Sequence, residues 1–145
     1  MLRILRETGA FTEEELAVAL ELIDLGLSED DQGYRFVVAA RGGEVLGYAC
    51  YGQTPLTDGV YDLYWIAVAP SAQGGGVGRA LLEAAERQAG ERGGRMMLIE
   101  TASKPSYAST RAFYLETGYQ EIARIPDFYR LGDDKVIYQR RLGVR

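Results

Sequence analysis

The chain contains no histidine. That absence excludes Ser-His and Cys-His nucleophilic machinery and removes the commonest ligand of transition-metal sites. Acid–base work must fall to carboxylates, tyrosines, lysines or water, and no metal is expected. Cysteine is nearly absent too: Cys50 is alone, so no internal disulfide can form, which suits a reducing cytoplasm. Cys50 lies inside the β-rich run 45–51, where it reads as a small buried hydrophobe. A mid-strand thiol argues against a covalent relay. No apolar run is long enough to span a bilayer, and residues 1–7 lack the apolar core of a secretory leader. The expectation is a cytoplasmic protein with no membrane partner. Basic residues are in deficit, 16 against 21 acidic, leaving a net charge of −5. Nucleic-acid binding needs clustered Lys and Arg, so none is expected. An acidic surface is compatible with a cationic partner, and it also serves plain solubility.

What is present is enough apolar material for one core. With 145 residues and 47% hydrophobic content, residues 1–145 are expected to form a single domain. Residues 2–7 alternate weakly and read as a first strand. Thr12 and Glu15 form a capping box, and Leu16, Leu20, Ile23 and Leu27 continue as a helical stripe. After a polar connector over 28–33, residues 34–40 and 45–53 read as strands joined by a hairpin turn at Arg41-Gly42-Gly43-Glu44. Residues 60–68 are apolar on both faces apart from Asp62, the pattern of a central strand. Val77, Leu81, Ala84/Ala85 and Gln88 mark a helix between Gly76 and Arg92, closed by Gly93-Gly94. A buried strand over 96–101, a short helix over 107–117 and two last strands over 119–125 and 135–142 complete the chain. The order β-α-ββ-β-α-β-α-ββ specifies a mixed α/β sheet.

The most informative stretch is Val68-Ala69-Pro70-Ser71-Ala72-Gln73-Gly74-Gly75-Gly76-Val77-Gly78-Arg79, where a strand runs through a glycine cluster into a helix. Glycines let main-chain N–H groups converge, and the first helical turn adds unpaired donors and a positive dipole end. Such a junction binds phosphate. A Walker loop needs Lys-Ser or Lys-Thr after its last glycine, but Arg79-Ala80 follows Gly78. A Rossmann fingerprint needs G-x-G-x-x-G/A; starting at Gly76 the third position is Leu81, and starting at Gly74 it is Arg79. The hairpin ahead of the junction also argues against a Rossmann unit.

Gln73-x-x-Gly76-x-Gly78 instead resembles the Q/R-x-x-G-x-G/A signature of the GNAT superfamily of acyl-CoA-dependent N-acyltransferases. A second match, Ala112-Phe113-Tyr114-x-x-x-Gly118-Tyr119, is similar to that superfamily's later helix and turn. The resemblance implies a GNAT-like mixed sheet of about seven strands, flanked by helices and splayed between the fourth and fifth. It implies acetyl-CoA as co-substrate and transfer of its acetyl group to a primary amine by direct attack. The thin connector 28–33 departs from family members that carry a second helix there. By resemblance, main-chain groups of Ile66, Ala67 and Val68 pair with the pantetheine arm. The amides of Gly74, Gly75, Gly76, Val77, Gly78 and Arg79, beside Gln73, hold the pyrophosphate, and Ser109 and Phe113 complete the cofactor contacts. Arg79 either adds charge there or is an ordinary solvated helix residue.

Tyr114 is the resemblance's general acid, since a phenol with pKa near 10 keeps its proton at neutral pH. The competing reading is a core tyrosine. Phe113 occupies a different angular position on the helix, so the two rings are not expected to share one core. Asp62, six residues before Val68, stands where several family members place a catalytic glutamate. A carboxylate in an apolar strand also calls for a reason, because unpaired burial is costly; the plainer reading is a solvated edge position. Deprotonating an alkylamine at pH 7 costs about 4–5 kcal/mol, against about 1–1.5 kcal/mol for an α-amine, so a water-mediated base suffices for the latter. A main-chain N–H near Ala67 or Val68 would stabilise the oxyanion.

The segment Asp127-Phe128-Tyr129-Arg130-Leu131-Gly132-Asp133-Asp134-Lys135 resembles the D-F-Y-x-x-G-D-D-K run of a subset of bacterial GNAT proteins. Asp127, Asp133 and Asp134 would attract an acceptor ammonium, with Phe128 and Tyr129 packed on its carbon chain and Tyr64, Trp65 and Tyr107 lining the same cleft. The alternative is a Gly-Asp-Asp turn with capping carboxylates. The acceptor is expected to be a small-molecule amine or a peptide or protein amine, and the family makes a homodimer possible. A non-catalytic acyl-CoA sensor is the second functional reading.

Overall fold

The computed structural model describes residues 34–41 and 44–143. The expected strand over 2–7, the helix capped by Thr12, the connector 28–33 and the turn residues Gly42 and Gly43 lie outside them. The described strands are β1 (Tyr34–Arg41), β2 (Glu44–Gln53), β3 (Val60–Val68), β4 (Met96–Ala102), β5 (Gln120–Arg130) and β6 (Asp133–Arg141). They form a six-stranded sheet in the order β1-β2-β3-β4-β6-β5. Only β3 and β4 run parallel; every other neighbouring pair is antiparallel. The sheet is therefore mixed, as expected, and the seventh strand of the sequence reading is the segment outside the described residues.

Among the described residues, two α-helices cover one face. Helix α1 (Val77–Glu91) is the crossover that a parallel β3–β4 pair requires. It buries Leu81, Leu82, Ala85 and Ala89 against Ala49, Tyr51, Tyr61, Leu63 and Met97 of the sheet. The expected stripe is thus turned slightly: Leu82 and Ala89 go inward, while Gln88 sits at the margin and accepts a hydrogen bond from the Tyr51 hydroxyl at 2.8 Å. The helix ends at Arg92 and Gly93, the latter at φ +87°, a left-handed conformation that suits glycine.

Helix α2 (Ala108–Glu116) is shorter and buries Tyr114. A part-buried polar tie fixes its far end. The Tyr119 hydroxyl donates to Glu86 of α1 at 2.7 Å, and Arg140 of β6 reaches both Glu86 at 3.2 Å and the Thr117 carbonyl at 2.9 Å. Both helices are thereby locked to the same side of the sheet.

The last hairpin departs from expectation. Residues 126–134, read as a loop, are mostly strand: β5 runs through Pro126 and turns only at Leu131-Gly132. Proline is tolerated because β5 is the outer edge of the sheet, where a missing N–H interrupts no second ladder. The register slips between Ile125 and Arg130, and Asp127 adopts φ +56° within that irregular stretch.

Candidate functional site

The site begins where two strands part. β3 and β4 share only the register pairs Val60–Met96, Tyr61–Met97, Asp62–Leu98 and Leu63–Ile99. Past these, β3 stays with β2 to Val68, and β4 stays with β6 to Ala102. The result is a fork anchored on both sides. Its cause is local: Tyr64 is an extra residue between Leu63, which faces Tyr51, and Trp65, which faces Cys50. Such a bulge increases strand twist and bends β3 away from its neighbour.

Alternation decides which main-chain groups face the gap. The Ala69 N–H donates to Leu46 of β2 at 2.8 Å, so Ala67 also points into the β2 ladder. Ile66 and Val68 therefore face the fork. Ala67, grouped with them by resemblance, is corrected on this ground: its main chain is committed to β2 and its side chain is buried. The Val68 carbonyl accepts from the Gln73 side-chain amide at 3.1 Å, which ties the following loop to the end of β3.

That loop carries the glycine cluster. Gly74 and Gly76 adopt φ +82° and +86°, with open space where a side chain would stand, and Gly76 is the N-cap of α1. The N–H groups of residues 74–79 have no acceptor among the described residues. Such a nest of donors at a helix start holds an anion. Arg79 is largely exposed and only loosely paired with Glu83 at 3.9 Å. Gly78 packs beneath Phe113: a methyl group at Gly78 would lie 3.7 Å from that ring and 3.8 Å from Val68. Phe113 thus joins α2, the start of α1 and the fork margin. Ser109, one turn earlier on the same stripe of α2, is exposed.

Tyr114 and Phe113 do share one core, against expectation. Tyr114 is buried, with ring centroids 6.0 Å from both Tyr119 and Tyr138 and 5.5 Å from Phe113, which packs at the core's margin. Residues 113 and 114 project about 100° apart on a helix, a separation the wide apolar stripe of α2 accommodates. Tyr138 stands opposite Ile99, so this cluster lies beside the fork on its helical face. Tyr114 makes no side-chain hydrogen bond among the described residues, yet its hydroxyl is not one of the fully buried unpartnered oxygens, which are those of Tyr48 and Thr101. Burial pushes its pKa above the ordinary tyrosine value, with a further push from Tyr138. Cys50 is fully buried and its thiol is pushed up to about 12 by desolvation, which leaves it inert.

The opposite face of the fork is polar. Asp62 is half-buried and accepts a hydrogen bond from the Thr54 hydroxyl at 2.8 Å. Burial raises its pKa above the ordinary aspartate value; the Thr54 hydrogen bond opposes this, Glu100 adds to it and Lys135 opposes it. The bulged Tyr64 makes an edge-to-face contact with Tyr34 at 5.4 Å, and its hydroxyl is pushed up to about 12 by burial and then by the Asp62 charge. Lys135 Nζ lies 3.1 Å from Glu100 and 4.6 Å from the centre of the Phe128 ring, which itself stands edge-on to Tyr129.

The three aspartates expected around the acceptor are built into the hairpin instead. Asp133 is buried, and one of its oxygens accepts the Ser103 and Lys104 main-chain N–H groups at 3.1 and 3.0 Å. Asp134 accepts the Asp127 N–H at 3.0 Å and pairs with Arg124 at 3.2 Å; these contacts hold its carboxyl below the usual range. Asp127 accepts the Gly132 N–H at 2.6 Å, bracing the turn. Asp127 and Asp134 fit the turn-capping alternative, whereas Asp133 caps the loop that leaves β4. Sequence reasoning missed Thr54, Glu100 and Lys135. Glu100 carried a usable signal, being a carboxylate between Ile99 and Thr101 in a buried strand, the criterion that singled out Asp62.

Set against known proteins, residues 1–119 match the family model described as the acetyltransferase (GNAT) family. Among solved structures, one assigned to an acetyltransferase of the GNAT family from Desulfovibrio desulfuricans is 48% identical. It covers 97% of this chain and 89% of its own, with a TM-score of 0.94. The Escherichia coli ribosomal-protein-S18-alanine N-acetyltransferase is 21% identical over 99% of this chain and 88% of its own, with a TM-score of 0.74. An aminoglycoside 6'-N-acetyltransferase complexed with coenzyme A is 16% identical over 99% and 89%, with a TM-score of 0.76. At those identities the last two show a shared fold. No curated protein matches the sequence.

Proposed function

The chain belongs to the GNAT family of acetyltransferases, and from that premise we propose that it transfers an acetyl group from acetyl-CoA to a primary amine by direct attack. The observation that carries this reading is the open β3–β4 fork ending in a nest of unpartnered amides over residues 74–79. The residues present fit the donor: the nest suits a pyrophosphate, and the fork-facing groups of Ile66 and Val68 offer a strand-like edge to the amides of a pantetheine arm. Ser109 and Phe113 line the approach from α2. Bound acetyl-CoA supplies an acyl group activated as a thioester.

The protein's own residues divide the remaining work. Asp62 takes the proton of the acceptor ammonium, through a water given its short side chain. The Val68 N–H, free of the β2 ladder, meets the charge developing on the acyl oxygen. The attacking nitrogen loses its second proton to solvent as the acyl–sulfur bond breaks, and Tyr114 donates a hydrogen bond to the departing sulfur. A thiolate near pKa 8.5 is a weaker base than a buried phenolate, so Tyr114 acts chiefly by holding a hydrogen bond on sulfur as its charge grows. The amine chemistry named for the two distant neighbours supports an acceptor that is either a small-molecule amine or a protein amine.

Incubating the purified protein with acetyl-CoA, a panel of amines and a thiol reagent should give amine-dependent release of CoA. Binding of acetyl-CoA without turnover on any amine would favour the sensor reading. A base works only when deprotonated, so kcat/KM should fall as pH drops through a value above the ordinary aspartate pKa of about 3.9. Asp62→Asn should remove that acidic limb and lower kcat/KM by about 10²-fold. Thr54→Val deletes the hydrogen bond that favours the charged form, so it should move the limb to higher pH. A limb unmoved in both variants would assign the base elsewhere.

A further inference from the structure

We propose that Lys135 is a resident cation of the acceptor pocket, and that it makes the pocket selective for acceptors carrying one ammonium only, at the reacting nitrogen. The inference rests on the transferase reading and names the acceptor class for it. A carboxylate next to an aromatic face is the usual receptor for an ammonium ion. Glu100 and Phe128 form such a receptor, and Lys135 already fills it, 3.1 Å from one and 4.6 Å from the other.

Strand geometry puts this pair beside the reacting carboxylate. Lys135 is opposite Ala102, and Ala102, Glu100 and Leu98 alternate onto the sheet face that carries Asp62, the register partner of Leu98. Asp62 feels the charges of both Glu100 and Lys135. The lysine side chain is mostly covered, at 17% exposure, so it is held in place and is no loose surface charge. The hairpin aspartates cannot substitute as a second cation site, because main-chain donors and Arg124 occupy them. Among the described residues, Asp62 makes no ion pair of its own, whereas Glu100 is paired with Lys135. An acceptor's first ammonium meets Asp62. A second would find the Glu100–Phe128 receptor already filled by Lys135.

The test compares butylamine with 1,4-diaminobutane, which share a four-carbon chain and differ by one terminal ammonium. The wild-type protein should favour butylamine in kcat/KM by about tenfold or more, less at high salt. Lys135→Met vacates the receptor and should shift the preference toward the diamine by a similar factor, while Lys135→Arg, which keeps the cation, should hold the wild-type ratio. Lys135→Gln serves as a second neutral variant should the Met variant fold poorly. Equal use of both amines by the wild-type protein, or a ratio unchanged in the neutral variants, overturns the proposal. If no amine releases CoA, the transferase reading fails. Calorimetric titration of the two amines into the CoA-saturated wild-type and neutral variants then decides the pocket: the same charge preference supports it, and its absence overturns it.

Discussion

Tyr114→Phe is expected to lower kcat by about 10²- to 10³-fold, with little change in KM for acetyl-CoA or in thermal midpoint. The separation follows from the environment of the hydroxyl. A core tyrosine whose hydroxyl held a partner would lose stability on conversion to phenylalanine, by about 0.5–1.5 kcal/mol. Tyr114 makes no side-chain hydrogen bond among the described residues, and its ring is packed by Phe113, Tyr119 and Tyr138 on all the contacts that phenylalanine would keep. Deleting the oxygen therefore costs the fold almost nothing. The reaction loses a donor to sulfur. Stopped-flow and steady-state measurements of CoA release, beside a melting curve, check both halves. A large fall in midpoint with kcat intact would make Tyr114 a packing residue.

Asp133→Ala should cost about 2 kcal/mol of stability, since it strands the Lys104 main-chain donor, at about 1–3 kcal/mol, while the Ser103 N–H keeps the Asp134 carbonyl at 3.0 Å. For a chain of this size that is roughly a 6 °C fall in midpoint. Asp133 does more than stabilise. The Ser103 and Lys104 amides it receives belong to the loop leaving β4, while Arg111 of α2 grips the same loop from the other side, donating to the carbonyls of Ala102 and Lys104 at 2.9 and 3.0 Å. Ser103 and Asp134 exchange two further hydrogen bonds across the same seam. The clamp keeps the end of β4 on β6 and seats α2 beside the fork. KM for acetyl-CoA should therefore rise in Asp133→Ala, with partial recovery in Asp133→Asn, which keeps one acceptor. Thermal denaturation and the KM against kcat split measure it; a midpoint within 2 °C of wild type, taken roughly, would contradict the clamp.

The elements themselves were legible because their signals are local. The 76–92 helix announced itself through a glycine start, an apolar stripe and a Gly93-Gly94 stop, and the central strand through residues apolar on both faces. The fork was legible only by resemblance, since it depends on Tyr64 being unmatched across β2, a fact of register that one strand's sequence does not contain. The same limit explains Ala67: which main-chain groups face the gap depends on pairing with Leu46 and Tyr48. Around the acceptor, the sequence displayed the right charges without their partners. Asp127, Asp133 and Asp134 looked available because nothing in their order shows that amides lie 29 or 30 residues away in the chain or close by across a turn. Pro126 misled in the ordinary way, marking a loop where the outermost strand continues.

The fork is opened by one inserted residue in the backbone, the bulged Tyr64. Donor geometry and acceptor preference are therefore stored in different currencies of the fold. Exchanging the side chains at 100, 128 or 135 rewrites what the polar face will accept while the cleft for the acyl donor keeps its width. Removing the single extra residue would let the two strands zip together past Leu63 and Ile99 and abolish the cleft whatever those side chains are. A lineage built on this sheet can change its acceptor by small steps and must keep its bulge.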